Sequence, residues 1–187
     1  MNKKKSKQKS KSKITAQTTL KGKLEVTRSG MGYVIVENVT GDILVRPGNF
    51  TTALNGDTVR VKVIKENIRT GKKEGKITEV LTRKQTEFIG HIQLSTNYAF
   101  FIPDTDKPMP DLFIPLTELN GAKNKDRVVA RLVKWDKEDK KPVGTVVSVM
   151  LPEDENDAAM KELLAQAGFP LFFPDDVLEE SQRLPEM

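Results

Sequence analysis

The sequence predicts an all-β protein built from two tandem five-stranded barrels of the OB type. Short runs of alternating apolar and polar residues, separated by turns rich in Gly, Asn and Asp, are typical of small β domains. Five such runs occur in each half, with a helical turn expected between the third and fourth, as in an OB barrel. Three segments of the first half recur in the second half at one fixed offset, which indicates a tandem duplication.

The first barrel is predicted to cover residues 18–83. Its first strand, Thr18–Thr27, contains Gly22, and a glycine inside a strand often marks a bulge or a bend at a barrel corner. A helical turn is expected at Phe50–Leu54. The remaining strands are predicted, in chain order, at Gly32–Val36, Asp42–Val45, Thr58–Ile64 and Glu74–Leu81.

The second barrel is predicted to cover residues 84–151, and its order repeats that of the first. Each repeated segment aligns at the same offset, without an insertion between one segment and the next. The matched pairs are Asp42–Leu44 with Asp111–Phe113, Ala53–Val59 with Ala122–Val128, and Gly75–Val80 with Gly144–Val149.

Segments of opposite charge flank the two barrels. Residues 1–17 form a predicted disordered basic tail, because residues 1–13 contain seven lysines and no acidic residue. Residues 152–187 are predicted to form a short helical linker, with a helix at Ala158–Ala167 and an apolar connector at Phe169–Phe173. Residues 151–187 carry two basic and ten acidic residues, so the barrels and the tail, and not this segment, suit a polyanion.

Composition excludes several classes of site. The chain has no cysteine and one histidine, which excludes disulfides and cysteine-ligated zinc and favours a reducing, cytoplasmic location. No apolar run reaches the length of about 18 residues that a membrane span needs, so no membrane partner is expected. Asp104 and Asp106 lie in a Pro-rich turn, where aspartate is common, so we predict no metal site and no cofactor in this chain. We also find no catalytic motif.

The candidate functional surface is an aromatic face in the second barrel. In an extended strand, Tyr98, Phe100 and Ile102 point to one side, and Phe113 joins them if the next strand pairs alongside. Such a face would form a platform on which unpaired bases stack. The alternative, that these rings only fill a core, is weakened because Phe101 already supplies an inward side chain.

A weaker copy of this face is predicted in the first barrel at Met31, Tyr33 and Leu44, where Met31 and Leu44 stand at positions suited to aromatic residues. The small residues Gly32 and Ala99 are expected to let bases approach. Three cations are predicted to line the first face or its rim, although solvated charge is the default interpretation of any one of them: Lys23, Arg28 and Arg46.

These segments resemble known nucleic-acid motifs. Met31–Ile35 and Tyr98–Ile102 resemble the first RNA-binding motif of cold-shock domains, and Asp42–Arg46 and Asp111–Pro115 resemble the second. The tandem order together with the residues Gly168-Phe169-Pro170 of the linker is similar to the N-terminal region of ribonuclease R, in the ribonuclease II family of 3′-to-5′ exoribonucleases.

The resemblance implies that this chain binds single-stranded RNA and feeds it to a nuclease domain without being an enzyme itself. It also implies that the magnesium-dependent catalytic domain and an S1 domain belong to sequence beyond this chain, in a bacterial protein. Two other hypotheses remain open. The chain could be a free-standing RNA chaperone of the cold-shock type, or a protein-docking module that uses Phe169–Phe173.

Overall fold

The computed structural model describes residues 18–150, together with Leu163, Leu164 and Ala167, and it confirms the all-β prediction. The chain divides into two compact units between Arg83 and Lys84. Each unit contains one closed five-stranded barrel.

The first barrel has the strand order of an OB fold. Its five strands are Thr19–Val26 (β1), Gly32–Ile35 (β2), Ile43–Val45 (β3), Thr58–Glu66 (β4) and Lys73–Thr82 (β5). They are arranged in the order β1-β2-β3-β5-β4, and β4 closes the barrel by pairing with β1. The β3–β5 pair is parallel, and the other pairs are antiparallel.

The second barrel repeats this topology. Its strands are Glu87–Leu94 (β6), Ala99–Pro103 (β7), Leu112–Ile114 (β8), Arg127–Lys134 (β9) and Val143–Val149 (β10). Their order around the barrel is β6-β7-β8-β10-β9, and the single parallel pair is again the one between the third and fifth strands. The duplication read from the sequence is therefore a duplication of a complete barrel.

Each barrel is filled by the inward side chains of its alternating strands, because successive residues of a strand face opposite sides. In β4, Val59, Val61 and Val63 are fully buried while Arg60 and Lys62 are exposed, as the sequence predicts. The other large buried side chains of the first barrel are Leu24, Val26, Val34, Ile43, Val45, Leu54 and Ile77. Those of the second are Ile89, Ile92, Phe101, Leu112, Ile114, Val128, Val129, Leu132 and Val146.

The loop before the fourth strand has a similar sequence in the two barrels, and it makes equivalent hydrogen bonds in each. The backbone N–H of Val26 donates to Asn55 Oδ1 at 2.8 Å, and that of Leu94 donates to Asn124 Oδ1 at 2.9 Å. Asn55 and Asn124 hold equivalent positions in the two matched segments, so the repeated sequence encodes the same loop in both barrels.

The helical turn of the first barrel lies earlier than predicted. It is a 3-10 turn at Pro47–Asn49, and Phe50 is its C-terminal cap, whereas the sequence suggested Phe50–Leu54. Pro47 explains the shift, because the fixed φ of proline suits the first position of a helical turn. The equivalent turn of the second barrel is Leu116–Glu118.

Gly22 lies where β1 changes partner. Residues Thr19–Lys23 pair with β4, and Lys23–Val26 pair with β2, so β1 belongs to both sides of the barrel wall. A Cβ atom at Gly22 would collide with the carbonyl oxygen of Ile35 and would lie 2.7 Å from Cγ1 of Val34. The absent side chain therefore permits the close approach of β2 at this corner.

The flanking predictions fall mostly outside the described residues. The basic tail at 1–17 and the connector Phe169–Phe173 both lie there. Leu163, Leu164 and Ala167 are helical and exposed, within the predicted helix Ala158–Ala167.

Candidate functional site

The second barrel carries three neighbouring aromatic rings on its outer surface. In β7, Ala99 and Phe101 are fully buried, so Tyr98 and Phe100 point outward, and Tyr98 is 39% exposed. Phe113 of β8 lies directly opposite Phe100 in the antiparallel pair and is partly exposed. Alternation and strand pairing thus bring together the three aromatic residues that the sequence singled out.

The three rings form a closed cluster and not a flat surface. The ring centres of Tyr98 and Phe100 are 5.2 Å apart at 65°, and those of Phe100 and Phe113 are 6.3 Å apart at 72°. Tyr98 and Phe113 are 6.0 Å apart and closer to parallel, at 35°. Edge-to-face contacts of this kind hold each ring in place, and all three residues remain at least partly exposed.

A lysine lies on this aromatic cluster. Lys141, in the loop between β9 and β10, places its Nζ atom 3.9 Å from the centre of the Phe100 ring. Lys134, the last residue of β9, is instead bound by Asp136 at 3.2 Å, and the hydrogen bond to Asp136 raises the pKa of Lys134. Lys141 was not predicted from the sequence, because it lies in a run of charged loop residues whose spacing does not determine where each side chain points.

The first barrel carries a smaller version of the same face. Tyr33 of β2 is 38% exposed, and it lies directly opposite Leu44 of β3. Met31 lies just before β2 and closes the β1–β2 hairpin, since the backbone N–H of Thr27 donates to its carbonyl oxygen at 2.8 Å. Met31 and Leu44 are partly exposed, so this face has one aromatic ring where the second barrel has three.

The expected role of the two small residues is wrong. Gly32 and Ala99 are buried and face the barrel interiors, so they cannot open the outer surface to a base. A Cβ atom at Gly32 would lie 2.6 Å from Cε1 of Phe50, and the glycine therefore makes room for that ring inside the barrel. The inward direction follows from alternation, because Tyr33 and Phe100 occupy the adjacent outward positions.

The three predicted cations differ in position. Lys23 is exposed on β1 opposite Ile35, on the same outer surface as Tyr33. Arg28 is exposed in the β1–β2 turn. Arg46 is 61% exposed, but its Nε atom donates to Glu74 Oε1 at 2.7 Å, so part of its charge is balanced within the protein.

A groove beside the first face has no counterpart in the sequence analysis. It encloses about 650 Å³ between β3 and the loop that joins β4 to β5. Tyr33 and Leu44 contribute the apolar part of its floor, and the polar lining includes Asp42, Lys65 and Lys72. The groove depends on loop conformation, which hydrophobic periodicity does not reveal.

Other polar residues have structural partners. Asp104 accepts hydrogen bonds from Arg127 at 3.2 Å and binds Nδ1 of His91 at 2.9 Å. Among the described residues, no three acidic or histidine side chains gather in a way that could hold a metal ion. Nor does this part of the chain contain a helix with the length and apolar character to cross a lipid bilayer.

Comparison with known families gives two matches, one for each barrel. The family described as the ribonuclease B OB domain matches residues 22–80, and the cold shock domain family matches residues 100–174.

Ribonuclease R from Thermotoga maritima is 25% identical over 166 residues, which cover 88% of this chain and 23% of the relative. Ribonuclease R from Escherichia coli is 26% identical over 167 residues, which cover 89% of this chain and 20% of the relative. These matches confirm the predicted resemblance to ribonuclease R. The chain spans about a quarter or less of the length of these curated relatives.

Two solved structures share the fold. Mycoplasma genitalium ribonuclease R, in complex with ribose-methylated single-stranded RNA, superposes with a TM-score of 0.70 at 15% identity over 90% of this chain and 27% of that one. Yeast Ssd1, a pseudonuclease, superposes with a TM-score of 0.66 at 18% identity over 81% of this chain and 25% of that one. In both, the match is to part of a longer protein.

Proposed function

We propose, from the resemblance of this chain to the N-terminal region of ribonuclease R, that it binds single-stranded RNA on the outer faces of its two barrels. The aromatic cluster of Tyr98, Phe100 and Phe113 is the observation that carries the proposal. Partly exposed rings are costly to leave in water, and each base that stacks on such a ring contributes about 1–3 kcal/mol of binding free energy.

The charges near the cluster suit the same ligand. Lys141 lies over Phe100, where its ammonium group can meet a phosphate while a base contacts the neighbouring rings. Because stacking uses the π face that every base has, this surface is expected to tolerate many RNA sequences. The solved complex of M. genitalium ribonuclease R with single-stranded RNA supports this choice of ligand.

The further role that we propose is substrate feeding. In this role the two barrels hold single-stranded RNA and direct its 3′ end to a nuclease domain, while magnesium-dependent chemistry and an S1 domain belong to sequence outside residues 1–187. The similarity to about a fifth of E. coli ribonuclease R supports this division of labour. The lack of cysteine supports a cytoplasmic location.

RNA binding is tested with the whole chain and a fluorescent single-stranded RNA, by anisotropy at low salt. Replacing both Tyr98 and Phe100 with alanine should weaken binding by about tenfold or more, since each lost stacking contact removes about 1–3 kcal/mol. Val133→Ala is the matched control, because Val133 is a large exposed apolar residue of the same barrel that is outside the ring cluster. Equal RNA affinity in the double variant and the control would refute the proposal.

The feeding role has a separate test in the coding sequence that follows codon 187. An open reading frame that continues into a nuclease domain would support feeding. A stop codon at that point would contradict it and favour an independent RNA chaperone.

A further inference from the structure

The groove of the first barrel has a floor that crosses three strands. Tyr33 of β2 lies opposite Leu44 of β3, and Leu44 lies opposite Glu74 of β5. Directly paired residues share one side of a sheet, so these three side chains form a row on the outer surface. One end of this row is the aromatic ring of Tyr33 and the middle is the aliphatic side chain of Leu44, so a planar group can pack against both.

The other wall of the groove is a loop that its own hydrogen bonds hold in shape. Asn67 Oδ1 accepts from the backbone N–H groups of Arg69 and Thr70, at 3.0 and 3.2 Å. The backbone N–H of Asn67 donates to the carbonyl oxygen of Lys72 at 2.9 Å. Gly71 has a φ of 66°, a value that favours glycine. The groove is therefore formed before a ligand arrives, which lowers the entropic cost of binding.

A lysine connects this loop to the opposite side of the groove. Lys73 Nζ donates to the carbonyl oxygen of Thr40 at 3.5 Å and to that of Gly71 at 3.4 Å. Glu74 is engaged by Arg46. Within the described residues, Asp42 makes no side-chain hydrogen bond or ion pair, and neither do Lys65 and Lys72, so the groove offers one carboxylate and two ammonium groups to a ligand.

We propose that this groove binds a single guanine nucleotide of the RNA, an inference that rests on the RNA-binding function proposed above. A volume of about 650 Å³ accommodates a nucleoside with its phosphate, and it lies in the ordinary range for small-ligand sites. The base packs against Tyr33 and Leu44, and Lys65 and Lys72 bind the adjacent phosphates. Ile68, at the tip of the loop and 98% exposed, offers an apolar contact to the next base.

Asp42 selects guanine over the other bases. A carboxylate has two acceptor oxygens and no donor, and the Watson–Crick edge of guanine places two donors, N1–H and the N2 amino group, side by side. Adenine and cytosine each present one amino donor beside a ring nitrogen that accepts, and uracil presents one donor between two acceptors. An acceptor-only group therefore satisfies guanine in two bonds and leaves an unfavourable contact with each of the others.

The test compares four RNA octamers with the whole chain, by fluorescence anisotropy at one low salt concentration. The first is uridine throughout, and the others contain a single guanosine, adenosine or cytidine near the centre. We expect the guanosine octamer to bind about tenfold more tightly than the other three, as one bidentate contact allows. Asp42→Asn should remove this preference, because asparagine has only one acceptor oxygen. It should raise rather than lower the affinity for the uridine octamer, since it relieves the unfavourable contact between the carboxylate and uracil.

Asp111→Asn is the matched control, since Asp111 holds the equivalent position in the repeat of the second barrel. The guanine preference should survive in this variant. Equal affinity for all four octamers, preference for another base, or a guanine preference that persists in Asp42→Asn would overturn the inference while RNA binding itself stands. If no octamer bound at all, the RNA-binding function would be refuted and the guanine site with it.

Discussion

The buried carboxylate of Asp57 provides a quantitative test of what holds the first barrel closed. Its side chain is fully buried, and Oδ2 accepts from the backbone N–H of Leu54 at 2.8 Å and from Nη1 of Arg83 at 2.8 Å. Its backbone oxygen also accepts from the N–H of Leu24 at 2.9 Å. Asp57 therefore joins the loop before β4, the first strand and the end of the barrel domain.

Replacing Asp57 with asparagine keeps the size of the side chain and removes its charge. Loss of one member of a buried ion pair costs about 3–5 kcal/mol, because the other charge stays in the protein without its partner. The side chain of Arg83 is 21% exposed, so water can reach the guanidinium group. We therefore expect Asp57→Asn to lower the free energy of unfolding by about 3 kcal/mol, the lower end of this range. Asp126, the equivalent residue of the second barrel, is partly exposed and accepts from the N–H of Lys123, so Asp126→Asn should cost only about 1 kcal/mol.

Hydrogen–deuterium exchange followed by mass spectrometry separates the two barrels within one molecule. In Asp57→Asn, amides of β4 should exchange roughly a hundredfold faster than in the unaltered protein, since about 1.4 kcal/mol corresponds to about tenfold. Amides of β9 serve as the internal control and should be unchanged. Unaltered exchange in β4, or an equal effect of Asp126→Asn on β9, would refute the prediction that loss of the Asp57 carboxylate selectively destabilises the first barrel.

Two further predictions concern the barrel corner and the RNA face. Gly22→Ala should lower the free energy of unfolding by about 2–4 kcal/mol, because its new methyl group meets the backbone at the β1–β2 corner. The control Gly48→Ala should change the free energy of unfolding little, since the space around Gly48 is open. Equal melting temperatures of the two variants would contradict this account. Lys141→Gln should reduce the slope of log affinity against log salt by about 0.7, the loss of one phosphate contact to a single strand. Lys76 is exposed on β5, and the control Lys76→Gln should keep the full slope. An unchanged slope in Lys141→Gln would show that Lys141 contacts no phosphate.

The parts of the fold that were predictable are those in which short-range pattern and long-range packing agree. Val59, Val61 and Val63 alternate with charged residues, and a strand with such a pattern has one direction in which it can bury its apolar side. Because the matched segments recur at one fixed offset, the strand order predicted for the first barrel also applied to the second. The helical turn was misplaced because Phe50 reads as an apolar helical residue, whereas its ring packs into the barrel interior beside Gly32.

The candidate site was predictable only in its strand residues. Tyr98, Phe100 and Phe113 were placed on one face by alternation, and the register of β7 and β8 brought their rings together. Lys141 and the groove lining residue Asp42 lie in or beside loops, where spacing along the chain does not determine direction. Loop conformation follows from hydrogen bonds such as those that Asn67 accepts from Arg69 and Thr70, and these form only in the folded loop.

The sequence by itself determined that two β barrels follow one another, which strand positions face outward, and that the second barrel holds more aromatic surface than the first. These properties depend on alternation and repetition, and both are local or periodic features of a chain. Only the tertiary structure decided that the rings meet at angles, that Gly32 and Ala99 serve the core, and that the first barrel contains a groove with an uncommitted carboxylate. Those properties depend on contacts between residues that are distant in sequence, and strand pairing and loop hydrogen bonds establish such contacts only on folding.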